Sequence, residues 1–215
     1  MLSDNNIAKL NADIASTGKE VTVVAATKTV PAEIINLLPS YGILAAGENK
    51  VQELLSKYND VKGITWHFIG RLQRNKVKYI ADKVDMIHSV DSFELAEEIE
   101  KRCCKIDKIM NVLVEINTGS EASKGGVSYD EVEGLCERIQ GLPHLKLRGL
   151  MGVFPIAADE SAYARLGARY DLLKDKFGFD CLSAGMSADY MTAIKYGANI
   201  IRPGSCLFGQ RNYNK

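Results

Sequence analysis

Apolar positions along this chain alternate between two spacings. Eight short runs of β-branched and aliphatic residues stand at 21–26, 43–46, 64–69, 84–87, 109–116, 145–151, 181–183 and 199–202. Near-continuous apolar runs of this length are the pattern of strands buried on both faces. Between them, apolar residues recur at every third or fourth position. Val51, Leu54, Leu55 and Tyr58 form one such stripe, and Val132, Leu135, Cys136 and Ile139 form another. Both predict helices with one buried face. Pro31 suits the first turn of a helix. Asp91 with Glu94 and Ser128 with Glu131 read as capping boxes. A basic helix is expected through Val77 and Ile80, and a long one ends near Phe177. Ile7, Leu10 and Ile14 predict a further helix ahead of the first strand.

Eight strand–helix alternations call for parallel strands joined by helical crossovers. At 215 residues this is the compact end of the (β/α)₈ barrel, with an extra N-terminal helix. An open doubly wound sheet is the rival, but it usually has fewer strands at this length. No linker, repeat or low-complexity tract divides the chain, so residues 1–215 are expected to form one domain.

Composition narrows the function. Lys plus Arg and Asp plus Glu both total 27, for a net charge of zero. That balance argues against a nucleic-acid binder. No run approaches the 18 or so apolar residues of a membrane span, and the first residues lack the pattern of a signal peptide. The five cysteines include the adjacent Cys103 and Cys104 and no CxxC pair. They predict neither a disulfide framework nor a zinc site, and point to the cytoplasm.

Barrels carry their chemistry at the C-terminal strand ends. The first strand runs into Thr27-Lys28-Thr29, and a lysine over apolar strand can form a Schiff base when its amine is neutral. On its own, Lys28 reads better as a solvated loop residue. The seventh strand runs into Ser183-Ala-Gly-Met-Ser187 and the eighth into Arg202-Pro-Gly-Ser205. Their glycines and hydroxyls, with a helix expected to begin at Ser187, make a phosphate site of the kind barrels place there. A phosphate site across the barrel from a Schiff-base lysine points to pyridoxal 5′-phosphate (PLP). Arg202 could then face the pyridine nitrogen and keep it unprotonated, or form a plain salt bridge at the barrel rim. Glu48 and Asn49 follow the second strand, and His67 lies in the third. Each also has a plain reading, as a cap or a core residue. Arg71, Arg74, Lys76 and Lys78 form a basic cluster, and the loop 119–126, with Lys124, is either a lid or an idle insertion.

In order and spacing these residues resemble the pyridoxal phosphate homeostasis protein family, single-domain relatives of the alanine racemase N-terminal barrel. The likeness runs through Ala26-Thr-Lys28, Gly47-Glu-Asn49, Trp66-His-Phe-Ile-Gly70, His88-Ser-Val-Asp-Ser92, Lys124-Gly-Gly126, Gly149-Leu-Met151, Gly185-Met-Ser187 and Phe208-Gly209. It implies a fold-type III PLP barrel with Lys28 carrying the internal aldimine. It also implies phosphate contacts from Ser187, Gly204 and Ser205 with Met186 beside them, Arg202 at the pyridine nitrogen, and Asn49 and His67 around the ring or mouth. Pro203 departs from the pattern, where an aliphatic residue is usual, and removes a backbone N–H.

Two classes of function compete. A cofactor carrier would hold PLP as a Schiff base on Lys28 without dedicated catalysis, and PLP-dependent apo-enzymes are its expected partners. An amino-acid racemase needs a second base on the far face of the substrate. In alanine racemases that base is a tyrosine of a second domain, which is expected to be absent because the chain ends at Lys215. Tyr190, Tyr196 and Tyr213 stand at no strand end. The expectation is therefore a cytoplasmic PLP-binding protein, monomeric or weakly dimeric, with no nucleic-acid or membrane partner. A Schiff-base aldolase acting on a phosphosugar is the remaining alternative, with Glu48 as its nearest acid or base.

Overall fold

The computed structural model describes residues 2–119, 125–155 and 158–209. In chain order they form α1 (Asp4–Ser16), β1 (Thr22–Ala26), α2 (Ala32–Ile35), β2 (Ala45–Glu48), α3 (Val51–Lys57), β3 (Thr65–Phe68), β4 (Met86–Val90) and α4 (Phe93–Cys104). Then come β5 (Met110–Asn117), α5 (Val132–Gln140), β6 (Leu145–Val153), α6 (Glu160–Phe177), β7 (Cys181–Ser183), α7 (Tyr190–Lys195), β8 (Ile200–Ile201) and α8 (Ser205–Phe208). The eight parallel strands close in sequence order, with β8 pairing β1 through Thr22–Ile200 and Val23–Ile201. This is the predicted (β/α)₈ barrel, led by the predicted N-terminal helix.

Strand parity sorts the side chains. On β3, Trp66 and Phe68 join the shell between strands and helices, while Ile69 turns inward. Inside, Val24, Ala45, Met86, Leu113, Met151, Cys181 and Ile200 pack with Ile69 into a separate apolar core. The barrel is filled rather than hollow, so ligand access is confined to its ends.

Local signals were met unevenly. The Ser128–Glu131 capping box forms, with Glu131 N–H donating to Ser128 Oγ at 3.2 Å and Ser128 N–H donating to Glu131 Oε2 at 3.2 Å. The expected box at Asp91 does not, because α4 begins after Ser92 with no side-chain cap. The expected basic helix shrinks to a 3₁₀ stretch, Arg74–Tyr79, and the expected helix start at Ser187 moves to Tyr190. The five cysteines are free thiols, and no described helix is long and apolar enough to cross a membrane.

One glycine is obligatory for closure. Gly149, at the β5–β6 register shift, has φ +151°, and a Cβ there would lie 1.8 Å from the Cys181 carbonyl oxygen. Gly149→Ala must push β6 off β7, and we expect a loss above about 4 kcal/mol, among the largest for a single substitution. A urea midpoint within error of wild type would contradict this.

Candidate cofactor-binding site

The first strand delivers Lys28 on a turn braced from beneath. Thr27 is fully buried, and its Oγ1 donates to Glu48 Oε1 at 2.8 Å. Lys57 of α3 donates to the same oxygen at 2.6 Å and to the Thr27 carbonyl at 2.9 Å. Thr29 has φ +61°, a strained setting for a β-branched residue. Its N–H is held by Glu53 Oε2 at 2.8 Å. These bonds fix the backbone on both sides of Lys28, which is half-buried at the rim. Glu48 thus points out of the barrel into an ion pair with Lys57, and is not the acid or base of the mouth that the sequence offered.

The seventh and eighth strand ends are laced to each other and to the first. Arg202 N–H donates to the Gly185 carbonyl at 2.8 Å, and Ala26 N–H donates to the Pro203 carbonyl at 2.8 Å. Pro203 therefore lacks a donor but supplies an acceptor. Ser187 Oγ receives the N–H groups of Gly204, at 2.9 Å, and Cys206, at 3.1 Å. Gly204 is buried, Ser205 exposed, and Met186 is exposed with its N–H on Asp189 Oδ1 at 2.6 Å. Lys28 and the Ser/Gly loops are neighbours, not opposed across the barrel as expected, because β8 lies beside β1. That proximity suits PLP, whose aldehyde and phosphate arms stand on adjacent ring carbons. Asn49 lies just past β2, exposed, against Gly70, where a Cβ would lie 2.3 Å from the Asn49 carbonyl oxygen.

Below the mouth runs a buried polar chain. Arg202 Nη1 donates to Ser183 Oγ at 2.6 Å and Nη2 to the Gly152 carbonyl at 2.9 Å. Ser183 Oγ lies 2.9 Å from His88 Nδ1, and His88 Nε2 lies 2.9 Å from His67 Nδ1. His67 is thus not at the ring or mouth but one inward position below Ile69. Burial pushes its pKa down to about 4 and holds His88 well below the ordinary value. Burial also brings Arg202 down to about 10, which leaves it charged at neutral pH.

Sequence reasoning missed Glu115. It lies two residues beyond the inward-facing Leu113, and strand parity turns it inward too. Its carboxylate and that of Asp91 both close on Gly125. Burial, then Asp91, raises the Glu115 pKa to about 7, against the pull of Arg202 and Arg71. A raised folded value means that its contribution to stability is complete below the ordinary 4.5 and is lost as pH rises through about 7. Glu115→Gln is therefore expected to be more stable than wild type at about pH 8, with the gap closing toward about pH 4. Equal urea midpoints at both pH values would contradict this. Lys124 and Tyr213 lie outside the described residues. Tyr190 donates to Asp13 at 2.5 Å and Tyr196 to Glu160 at 2.9 Å, so both hydroxyls are committed to other elements.

Residues 4–212 match the family model for the alanine racemase N-terminal domain. The pyridoxal phosphate homeostasis protein of Aquifex aeolicus is 42% identical over 199 residues, covering 89% of this chain and 87% of that one. The chain belongs to the pyridoxal phosphate homeostasis protein family. Its Pasteurella multocida relative is 35% identical over the full length of both chains. Among solved structures, PipY of Synechococcus elongatus PCC7942, determined with PLP bound, superposes with a TM-score of 0.83 at 28% identity, covering 94% of this chain and 100% of that one. Alanine racemase of Clostridium difficile 630 shares the fold, with a TM-score of 0.77 at 16% identity, covering 99% of this chain and 59% of that one.

Proposed function

We propose that this member of the homeostasis family holds PLP reversibly at the C-terminal mouth of its barrel, and retains or hands on the cofactor instead of turning over a substrate. The observation that carries the reading is the bond from Ala26 N–H to the Pro203 carbonyl, which sets Lys28 beside the Ser187–Gly204–Ser205 junction. The donor set fits the group: a primary amine, two hydroxyls, a glycine that lets the backbone come close, and a buried arginine. When bound, PLP supplies an aldehyde that condenses with a primary amine to a Schiff base.

In this reading Lys28 supplies that amine from its braced turn. Ser187, Gly204 and Ser205 receive the phosphate, with Met186 and Asn49 at the rim. The contact rests on hydroxyls and backbone, because α8 is a single turn and α7 starts three residues past Ser187. Arg202, whose guanidinium reaches toward β6 and β7, meets the ring nitrogen on the side away from Lys28. A cation there disfavours ring protonation, and so weakens the electron withdrawal that amino-acid chemistry on PLP needs. The names of the relatives and the PLP-bound PipY support the cofactor, and the bonds of Tyr190 to Asp13 and Tyr196 to Glu160 support the reading that neither tyrosine serves as a second base.

The expected partners are PLP-dependent apo-enzymes. Cofactor-loaded protein, freed of unbound PLP, is expected to reactivate an apo-aminotransferase while racemising alanine no faster than free PLP does. Failure to reactivate would remove the transfer role, and saturable racemisation would make the protein an enzyme.

A further inference from the structure

The chain His67–His88–Ser183–Arg202 crosses the barrel interior with almost no solvent contact: the four residues are 8%, 0%, 0% and 4% exposed. Four polar side chains in so dry a place cost stability unless every donor and acceptor is matched. Donor counting then fixes the direction of the bonds. Arginine can only donate, so Ser183 Oγ accepts from Arg202. The Ser183 proton then has one acceptor within reach, His88 Nδ1. That places the His88 proton on Nε2, where it is donated to His67 Nδ1, and the His67 proton falls on its own Nε2. Run the other way, with His88 Nδ1 donating to Ser183, the serine proton would have no partner. His67 also lines a cavity of about 530 Å³ at the N-terminal ends of β1, β2 and β3, with Asn11, Thr22, Leu44 and Thr65 among others. The chain thus links the two ends of the barrel.

We propose that His67 and His88 are positioning residues, which act through Ser183 to hold the Arg202 guanidinium where it meets the pyridine nitrogen of PLP. This rests on the cofactor reading above. Of the five arginine N–H donors, Ser183 and the Gly152 carbonyl each take one, and the remainder are left for other partners. Without a filled His88, Ser183 loses its acceptor and turns, and Arg202 loses one of its two protein anchors. The charged groups that face the arginine are Glu115 from β5 and Asp189 from the β7–α7 turn, and Asp91 and Arg71 face Glu115 in turn. A released Arg202 would swing toward Glu115 and Asp189 and leave the ring nitrogen open to protonation.

The test compares His67→Leu, which removes the acceptor, with His67→Asn, whose Oδ1 stands where Nδ1 did, and with His88→Phe. For each full-length protein, PLP affinity is measured by titration and the visible band is followed against pH. His67→Leu and His88→Phe are expected to bind PLP about tenfold more weakly, the scale of one hydrogen bond to a charged group. They should also show a pH-dependent change in the band that wild type lacks, while His67→Asn restores both properties. Unchanged affinity and pH profile in His67→Leu and His88→Phe would overturn the proposal. So would His67→Asn behaving like His67→Leu, which would mean packing alone. Should the variants not fold, ¹⁵N-histidine spectra of the loaded wild type decide: both rings neutral and protonated on Nε2 is expected, and His88 protonated on Nδ1 overturns it. A wild type that shows no PLP band overturns the cofactor reading itself, and this proposal with it.

Discussion

Lys28→Ala is expected to abolish stable retention of PLP while leaving the barrel folded. Lys28 sits half-buried in a surface turn, and bonds through Thr27, Thr29, Glu48, Glu53 and Lys57 brace that turn. The substitution therefore removes the reactive group and little packing. Phosphate contacts and Arg202 remain, so weak non-covalent binding should persist. The loss is the covalent link, worth upwards of about 3 kcal/mol, or roughly a hundredfold in affinity. Wild type with added PLP should keep a visible band through gel filtration, and Lys28→Ala should lose it with its thermal midpoint unchanged. A variant that keeps the band would move the amine to another lysine.

Lys57→Met is expected to destabilise the protein by about 3–5 kcal/mol, the cost of leaving a buried charge unpaired. Glu48 has no solvent exposure, and its Oε2 already lacks a partner among the described residues. Its other oxygen depends on Lys57 and Thr27. Lys57 is itself only 8% exposed, so its removal leaves the carboxylate, and the Thr27 carbonyl, without a cation. The double variant Glu48→Leu with Lys57→Met removes both charges and should recover most of the loss. Urea midpoints of the four proteins check this. Additive losses would mean that the pair is not coupled. Since the same bonds brace Thr27, both variants should also hold PLP less tightly than wild type.

The architecture was readable because a barrel strand covered on both faces must be apolar almost throughout, and the crossovers between strands carry a helical stripe. Boundaries failed where tertiary partners overrode local character. The apolar pattern predicts the second strand at 43–46, yet β2 runs Ala45–Glu48. A glutamate looks like the start of a loop, and Lys57, on the next helix, together with Thr27 makes its burial tolerable. Lys28, Ser187, Arg202 and Ser205 could be found because each stands at a strand end or in a Gly-containing loop. His88 and Glu115 could have been found by parity, two residues beyond the inward Met86 and Leu113. The sequence pattern ends the fourth run at Ile87, just before His88, and leaves Glu115 inside the fifth run, where a single polar residue announces no partner. The pairing of His67 with His88 joins two different strands, and no spacing within one sequence announces it.

Lys28 is the amine expected to hold the cofactor. Borohydride reduction of the PLP-loaded wild type, followed by peptide mass mapping, tests it directly. One reduced pyridoxyl group is expected, on the peptide containing Lys28. Reduced pyridoxyl only on another lysine, or on none, would contradict it.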